Sequence, residues 1–226
     1  MSSPKILAVE TTTEACSAAL LYQESIQECY QLAPRQHTHL ILPMLESLLA
    51  DAALTPRDLD AIAFCCGPGS FTGCRIGASL VQAVAFAADI PVVRVSSLQC
   101  LAQGAYRDFL AKRVLAAIDA RMNEVYWGSY QLGEEGIMLE FDAEQLSDPM
   151  QLALTQLSHF IGVGSAWDKY HEIVAPRFKG NQLQQCYSQR YPRAYDVAVL
   201  AKYAYQRGQL VSAEEALPVY LREKIT

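Results

Sequence analysis

The chain opens with apolar runs separated by short polar breaks, a pattern typical of strands joined by turns. An apolar run at residues 5–10 ends on an acid, a polar turn follows at 11–14, and a second apolar run covers 15–22. Residues 25–32 form a third run, of mixed character and of a length typical of a strand. The pattern therefore predicts a hairpin extended by a third strand.

Helical spacing follows this hairpin. Apolar residues recur at three- and four-residue intervals over residues 37–52, where Pro43 marks either a helix start or a kink. The first half then continues with a strand at 61–65, a loop at 67–70, a helix at 71–88, a strand at 92–95 and a helix to about Arg107. The predicted order is βββαβαβα.

The second half opens like the first. An apolar run at 114–118 ends on Asp119, a turn follows, and strands are predicted at 124–131 and 136–141. Later elements are predicted as a helix at about 147–157, a strand at 160–163, a short helix near Trp167 and a last helix at about 196–207. An internal duplication explains this repeat, and chance similarity of two hairpins is the alternative. The duplication predicts a first lobe of residues 1–108, completed by 195–226, and a second lobe of 109–194.

Composition narrows the class of protein. The 226 residues carry a net charge of −6, whereas a dedicated nucleic-acid binder usually shows a basic balance. Seven cysteines without a C-x-x-C motif favour neither a disulfide framework nor a zinc knuckle, and they suit a reducing compartment. The uncharged stretches at 61–74 and 76–88 are too short to span a bilayer as judged from the sequence. These features predict a cytoplasmic protein.

A glycine-rich run at residues 67–73 precedes the helix at 71–88 and is a candidate phosphate loop. Its glycine spacing matches neither the P-loop nor the dinucleotide fingerprint. An anion at the helix N-terminus and a tight strand-to-helix turn both remain open. Ser70 lies outside a G-x-S-x-G motif and is not a predicted nucleophile.

Two acids, Glu10 and Asp119, end strands beside polar turns, a position that serves magnesium–phosphate chemistry in many α/β enzymes. Neither turn contains glycine, so both are poorly equipped to approach a triphosphate. The Gly162-Val-Gly164 segment is either a nucleotide-adjacent turn or a plain turn. His37 and His39 have no third ligand spaced nearby, so no metal site is predicted.

The helix at 71–88 is apolar all round, with Arg75 as its only charge. One sheet covers only one side of such a helix, which predicts a partner surface shared with the helix at 37–52; a fully internal helix is the alternative. We favour the side carrying small residues, because a second helix approaches small residues closely. The predicted interface residues are Leu40, Ile41, Met44, Phe71, Cys74, Arg75, Ala78, Val81 and Ala85.

Several of these segments resemble one known family. The run GPGSFTGCRIG at 67–77, the opening at 6–20, the hairpin DARMNEVY at 119–126 and the tail PVYLR at 218–222 resemble the TsaB family, also called YeaZ. The resemblance spans the whole chain. It implies the two-lobed α/β fold of actin, Hsp70 and sugar kinases, with duplicated βββαβα lobes. The vestigial nucleotide-site positions are then Glu10, Thr11, Thr12, Asp119, Gly162 and Gly164.

The resemblance also implies a function. TsaB-type chains are non-catalytic subunits of the machinery that forms N6-threonylcarbamoyladenosine in tRNA. The resemblance implies a heterodimer with the catalytic subunit TsaD, and a homodimer through the same predicted partner surface. It also implies that the ATPase TsaE joins the heterodimer and that TsaC is functionally linked to it. No cofactor is expected on this chain; ATP and metal are expected on its partners, and tRNA contact only through the complex. The alternatives are an ATP-dependent enzyme and a glycoprotease-like peptidase of the same fold.

Overall fold

The computed structural model describes residues 3–152, 155–178 and 182–222. The chain forms two compact units. The first takes the chain up to Cys100 together with Pro192–Val219, and the second takes Leu101–Tyr191 together with the chain from Tyr220 onward. These bounds differ from the predicted ones, which end the first stretch of the first lobe at residue 108 and assign all of 195–226 to that lobe.

The first unit is built on a five-stranded mixed sheet. Its strands are β1 (Ile6–Glu10), β2 (Ala15–Tyr22), β3 (Ser25–Leu32), β4 (Ala61–Gly67) and β5 (Val92–Ser96). Their spatial order is β3-β2-β1-β4-β5, with β1 antiparallel to β2 and parallel to β4. The predicted hairpin and its third strand are therefore confirmed.

Helices accompany this sheet. They are α1 (His37–Asp51), α2 (Phe71–Ala88) and α3 (Ser97–Phe109), the last of which contains the unit boundary at Cys100. Residues of β1 and β4 share a buried apolar cluster with α1 and α2, including Leu7 and Phe64. Every residue of β1 and β4 is buried, so these strands are covered on both faces. A later helix, α5 (Ala194–Gln206), packs on β1, β2, β4 and β5.

The second unit contains a sheet of the same design. Its strands are β6 (Arg113–Arg121), β7 (Glu124–Leu132), β8 (Met138–Ser147), β9 (Phe160–Val163) and β10 (Leu183–Tyr187). Their order, written from the opposite edge, is β8-β7-β6-β9-β10, which repeats the order of the first sheet strand for strand. The helix α4 (Ala166–Val174) lies between β9 and β10, as α2 lies between β4 and β5. The internal duplication is confirmed by this topology.

Two predictions for the second half were wrong. A helix was expected at about 147–157, but β8 extends to Ser147 and only a 3-10 turn follows at Pro149–Gln151; residues 153–154 lie outside the described residues. Pro149 follows the capping residue Asp148, which is a helix-start signal in the sequence. The helical turn nevertheless ends at Gln151, and the amide of Leu157 donates to the hydroxyl of Thr155 in a local turn. Strand β10 was not predicted, because its half-exposed, Gln-rich segment lacks a clear period.

Helix α2 also corrects the view that no segment is long enough to span a bilayer. Its 18 residues have a mean hydropathy of 1.3, which meets the length and composition of a membrane-crossing helix. The same helix packs along β4 and contributes to the core cluster of the first unit. Its apolar character on the side facing the sheet is therefore explained by packing within the unit.

Candidate functional site

The hairpin turn after β1 is pressed against the start of helix α2. The Thr11 hydroxyl donates to the carbonyl oxygen of Gly73 at 2.8 Å, and the amide of Ser70 donates to the carbonyl oxygen of Thr12 at 2.7 Å. Ser70 itself caps α2, since its hydroxyl accepts from the amide of Gly73. The glycine-rich run thus forms the tight strand-to-helix turn that was one of the two alternatives.

Glycine is required at this contact by the close approach of two backbones. A Cβ built on Gly73 would lie 2.1 Å from the carbonyl oxygen of Thr11, and one on Gly69 would lie 2.5 Å from that of Thr12. Both distances are far inside van der Waals contact. The backbone at the start of α2 therefore packs directly against the turn after β1.

Glu10 lies at the buried centre of this arrangement. Its Oε1 accepts hydrogen bonds from the amide and hydroxyl of Thr12 at 2.5 and 2.7 Å, and the Thr12 hydroxyl accepts from Ser97 at 3.0 Å. Burial raises the pKa of Glu10 to about 7, an effect that the Cys65 thiol and Thr12 offset only in part. A carboxyl that is fully buried and costly to ionise is poorly suited to hold a magnesium–phosphate group from solution. The role of Ser97 had no signal in the sequence.

The raised pKa predicts that the chain loses stability as the pH increases. Glu10 titrates near 4.5 when unfolded and near 7 when folded, so its contribution is fully present below pH 4.5 and is lost as the pH rises through 7. Glu10→Gln is expected to remove this loss, which amounts to about 3 kcal/mol. Urea denaturation of both proteins from pH 4 to pH 8.5 measures it. Glu46→Gln, at an exposed position of α1, is the matched control and should keep the wild-type pH dependence. Parallel curves for wild type and Glu10→Gln would contradict the prediction.

The corresponding acid of the second unit is tied to cations of its own chain. Asp119 Oδ1 accepts from the amide of Arg121 at 3.0 Å and contacts Lys169 Nζ at 3.5 Å, and its amide donates to the Ser165 hydroxyl at 3.1 Å. The side chain is partly accessible, unlike that of Glu10. Asp119 therefore holds the turn and the start of α4 together.

The Gly162-Val-Gly164 segment is a packed turn after β9. A Cβ on Gly162 would lie 2.4 Å from the Trp167 ring, and one on Gly164, whose φ is +111°, would lie 2.3 Å from the carbonyl oxygen of Ala117. The two glycines let the end of β9 approach α4 and β6. Of the two alternatives given by the sequence, this geometry favours the plain turn.

The structure separates the predicted interface residues into two groups. Ile41, Cys74, Ala78, Val81 and Ala85 are at most 4% exposed and belong to the core beneath α1 and α2. They cannot meet a partner, so the preference for this side of α2 was wrong: its small residues admit the sheet, not a second helix. Ala78→Asp would therefore bury an unpaired charge in the core and unfold the unit.

The remaining interface residues lie nearer the surface. Leu40 and Met44 of α1 are partly buried, and Phe71 is 58% exposed with the Arg75 guanidinium 3.6 Å above its ring. The accessible side of α2 carries further apolar residues that the interface prediction omitted, namely Ile76, Leu80, Ala83, Val84, Phe86 and Ala87. Their helical spacing was visible in the sequence, which could not tell the sheet side from the outer side. We call Ile76, Leu80, Ala83, Val84 and Ala87 the outer face of α2.

The histidines do not form a pair of ligands. His37 is buried at the start of α1, where its Nε2 lies 3.0 Å from the carbonyl oxygen of Ala15, while His39 is exposed. No group of three or more metal-ligating side chains occurs in residues 3–152, 155–178 and 182–222. Five of the seven cysteines are buried as core residues, namely Cys16, Cys65, Cys66, Cys74 and Cys100.

Comparisons with known proteins agree with one another. The family model for tRNA N6-adenosine threonylcarbamoyltransferase, TsaD, matches residues 29–225. The tRNA threonylcarbamoyladenosine biosynthesis protein TsaB of Escherichia coli K12 is 40% identical over 98% of this chain and 96% of its own, and that of Haemophilus influenzae is 39% identical over 100% and 97%. YeaZ from Pseudomonas aeruginosa has a solved structure with a TM-score of 0.90 and 44% identity, covering 98% of this chain and 100% of its own.

Proposed function

The chain belongs to the TsaB family of tRNA threonylcarbamoyladenosine biosynthesis proteins, and on that premise we propose that it is the non-catalytic partner of a TsaD-type catalytic subunit. In this proposal it supports the catalytic subunit, and the resulting pair recruits a TsaE-type ATPase. A TsaC-type enzyme supplies the threonylcarbamoyl-adenylate. The single observation that carries the proposal is the uncharged outer face of α2.

This face has the character of a docking surface for a folded protein. Ile76, Leu80 and Val84 pack against the core from one side and are partly accessible from the other, while Ala83 and Ala87 between them are exposed. Arg75 is the only charged residue of α2, and it lies over Phe71 instead of on this face. Leu40 and Met44 of α1 add apolar surface beside the same core. A second helix pair of the same fold would bury such a surface in a contact of ordinary size, about 1,600 Å² in total.

The packing of α2 against the turn after β1 supports a non-catalytic role. Thr11 donates a hydrogen bond to α2, and Thr12 accepts one from α3. Glu10 accepts a hydrogen bond from the amide of Thr12. We infer that ATP and metal bind to the partner subunits, and that tRNA contacts this acidic chain only within the complex. A cytoplasmic location follows from that role, because tRNA modification takes place there.

Reconstitution of the modification tests this function. Purified TsaD-, TsaE- and TsaC-type proteins, tRNA, ATP, threonine and bicarbonate are combined with and without this chain, and modified adenosine is measured by mass spectrometry. The proposal expects product only when the chain is present. An equal yield of modified adenosine in the reaction without the chain would contradict the proposal.

Assays of the chain alone separate this function from the enzymatic alternatives. A protein from Pseudomonas aeruginosa of 44% identity is described as similar to peptidase YeaZ, which makes peptide cleavage the second activity to measure. We expect ATP hydrolysis and peptide cleavage at background for the purified chain. Activity that co-elutes with the chain and disappears in Asp119→Asn or Glu10→Gln would favour an enzyme.

A further inference from the structure

The tip of the β6–β7 hairpin carries an accessible sulfur next to a cation. Met122 is 67% exposed, and its backbone φ is +54°. Its Sδ lies 3.4 Å from Nη1 of Arg222, in the C-terminal segment of the same unit. A thioether sulfur is a weak hydrogen-bond acceptor, so this contact satisfies the guanidinium poorly.

The other donors of Arg222 show how unevenly its cation is paired. Its Nη2 donates to the carbonyl oxygen of Ala120 at 3.0 Å and to Glu124 Oε2 at 2.6 Å. Its Nε is buried and has no acceptor within the described residues. Nη2 is therefore firmly bound, whereas Nη1 contacts only the sulfur and Nε has no acceptor among the described residues.

We propose that Met122 is a site of reversible oxidation whose sulfoxide strengthens the hold on Arg222. Hydrogen peroxide transfers one oxygen to Sδ: the S–O bond forms, the O–O bond breaks, the sulfur loses two electrons, and the departing hydroxide takes up a proton to become water. Methionine sulfoxide reductases reverse the step with a dithiol as the electron donor: the S–O bond breaks, the oxygen leaves as water, and the dithiol becomes a disulfide. The sulfoxide oxygen is a strong acceptor, and its bond to the guanidinium is charge-assisted.

The chain offers matched comparisons for this site. Met150 is 66% exposed, so peroxide reaches its sulfur equally well, and the nearby cation of Arg177 donates to the carbonyl oxygen of Pro149. Met138 is fully buried and should resist oxidation. Oxidation at Met150 is therefore a control for chemistry without the guanidinium.

The rate of trypsin cleavage after Arg222 reports how firmly this side chain is bound, because cleavage requires the side chain to leave the hairpin. The rate of loss of residues 223–226 then follows the population of the released state. Mass spectrometry of intact protein follows this loss and, after digestion, the oxidation of each methionine. We expect peroxide to slow the cleavage about tenfold in the wild type and in Met150→Leu, as one charge-assisted bond in place of a weak one implies.

Two further variants test whether the slowing depends on the sulfur of Met122. Met122→Leu should show no response to peroxide, and Met122→Gln, which brings an amide oxygen to the same place, should be slow to cleave without peroxide. Reduction by a methionine sulfoxide reductase should restore the wild-type rate. An unchanged or faster cleavage after Met122 is oxidised, or a slowing that survives in Met122→Leu, would overturn the proposal.

Discussion

Ala83→Glu is expected to weaken binding of the TsaD-type subunit by at least a hundredfold while leaving the chain folded. Ala83 is exposed and lies between Leu80, Val84 and Ala87 on the outer face of α2. A charge placed there would be buried without a partner when the two proteins meet, which costs about 3 kcal/mol or more. Glutamate is also a good helix former, so the helix itself should tolerate it. Isothermal titration calorimetry measures the affinity, and circular dichroism confirms the fold.

Gln82→Glu is the matched control for this variant. Gln82 is half-buried on the same helix and next to Ala83 in sequence, but its side chain leaves the helix about 100° away from that of Ala83 and lies off the outer face. The control substitution introduces the same charge at nearly the same position along the helix axis, and we expect binding close to that of the wild type. Equal loss in both variants would indicate a long-range charge effect, and equal retention would place the interface elsewhere.

Gly73→Ala is expected to destabilise the chain by about 3 kcal/mol, against the trend of helix propensity. Alanine normally stabilises a helix relative to glycine by about 1 kcal/mol. Here the added Cβ would lie 2.1 Å from the carbonyl oxygen of Thr11, so α2 and the hairpin turn would have to move apart. The hydrogen bond between the Thr11 hydroxyl and the Gly73 carbonyl would be lost with that movement.

Gly77→Ala provides a graded comparison. Its Cβ would meet the Thr11 hydroxyl at 2.7 Å, and a side-chain hydroxyl can rotate away where a backbone carbonyl cannot. The loss for Gly77→Ala should therefore be smaller than for Gly73→Ala, as measured by urea denaturation at one pH. A Gly73→Ala protein as stable as the wild type would show that the contact between turn and helix is looser than described.

The duplicated architecture could be predicted because local patterns specify it. Residues 6–32 form short runs separated by polar turns, as strands do, and the opening of the second half repeats this pattern, so both sheets could be predicted. The helix expected at 147–157 does not form, although its apolar spacing is helical, because Thr155 bonds elsewhere. Its hydroxyl donates to Asp142 of β8 and accepts from the amide of Leu157, which are contacts that the local sequence pattern does not show.

The site was less accessible to sequence reasoning, because it depends on contacts between distant segments. The glycines at 67–77 suggested a ligand loop, but Gly69 and Gly73 allow close approach of the backbone of Thr12 and Thr11, about sixty residues earlier in the chain. The choice between the two sides of α2 could not be made either, since both are apolar. Only the position of β4 shows that Ala78 and Val81 face inward and Leu80 and Val84 outward.

Hydrogen exchange of the chain, alone and mixed with the TsaD-type subunit, tests the central claim most directly. Mass spectrometry of peptic peptides reports protection for each segment. The account predicts that the partner slows exchange in α1 and α2, most strongly in peptides containing Leu80 and Val84, and leaves β9 and α4 unchanged. Protection confined to the second unit, with α1 and α2 exchanging as in the free chain, would contradict it.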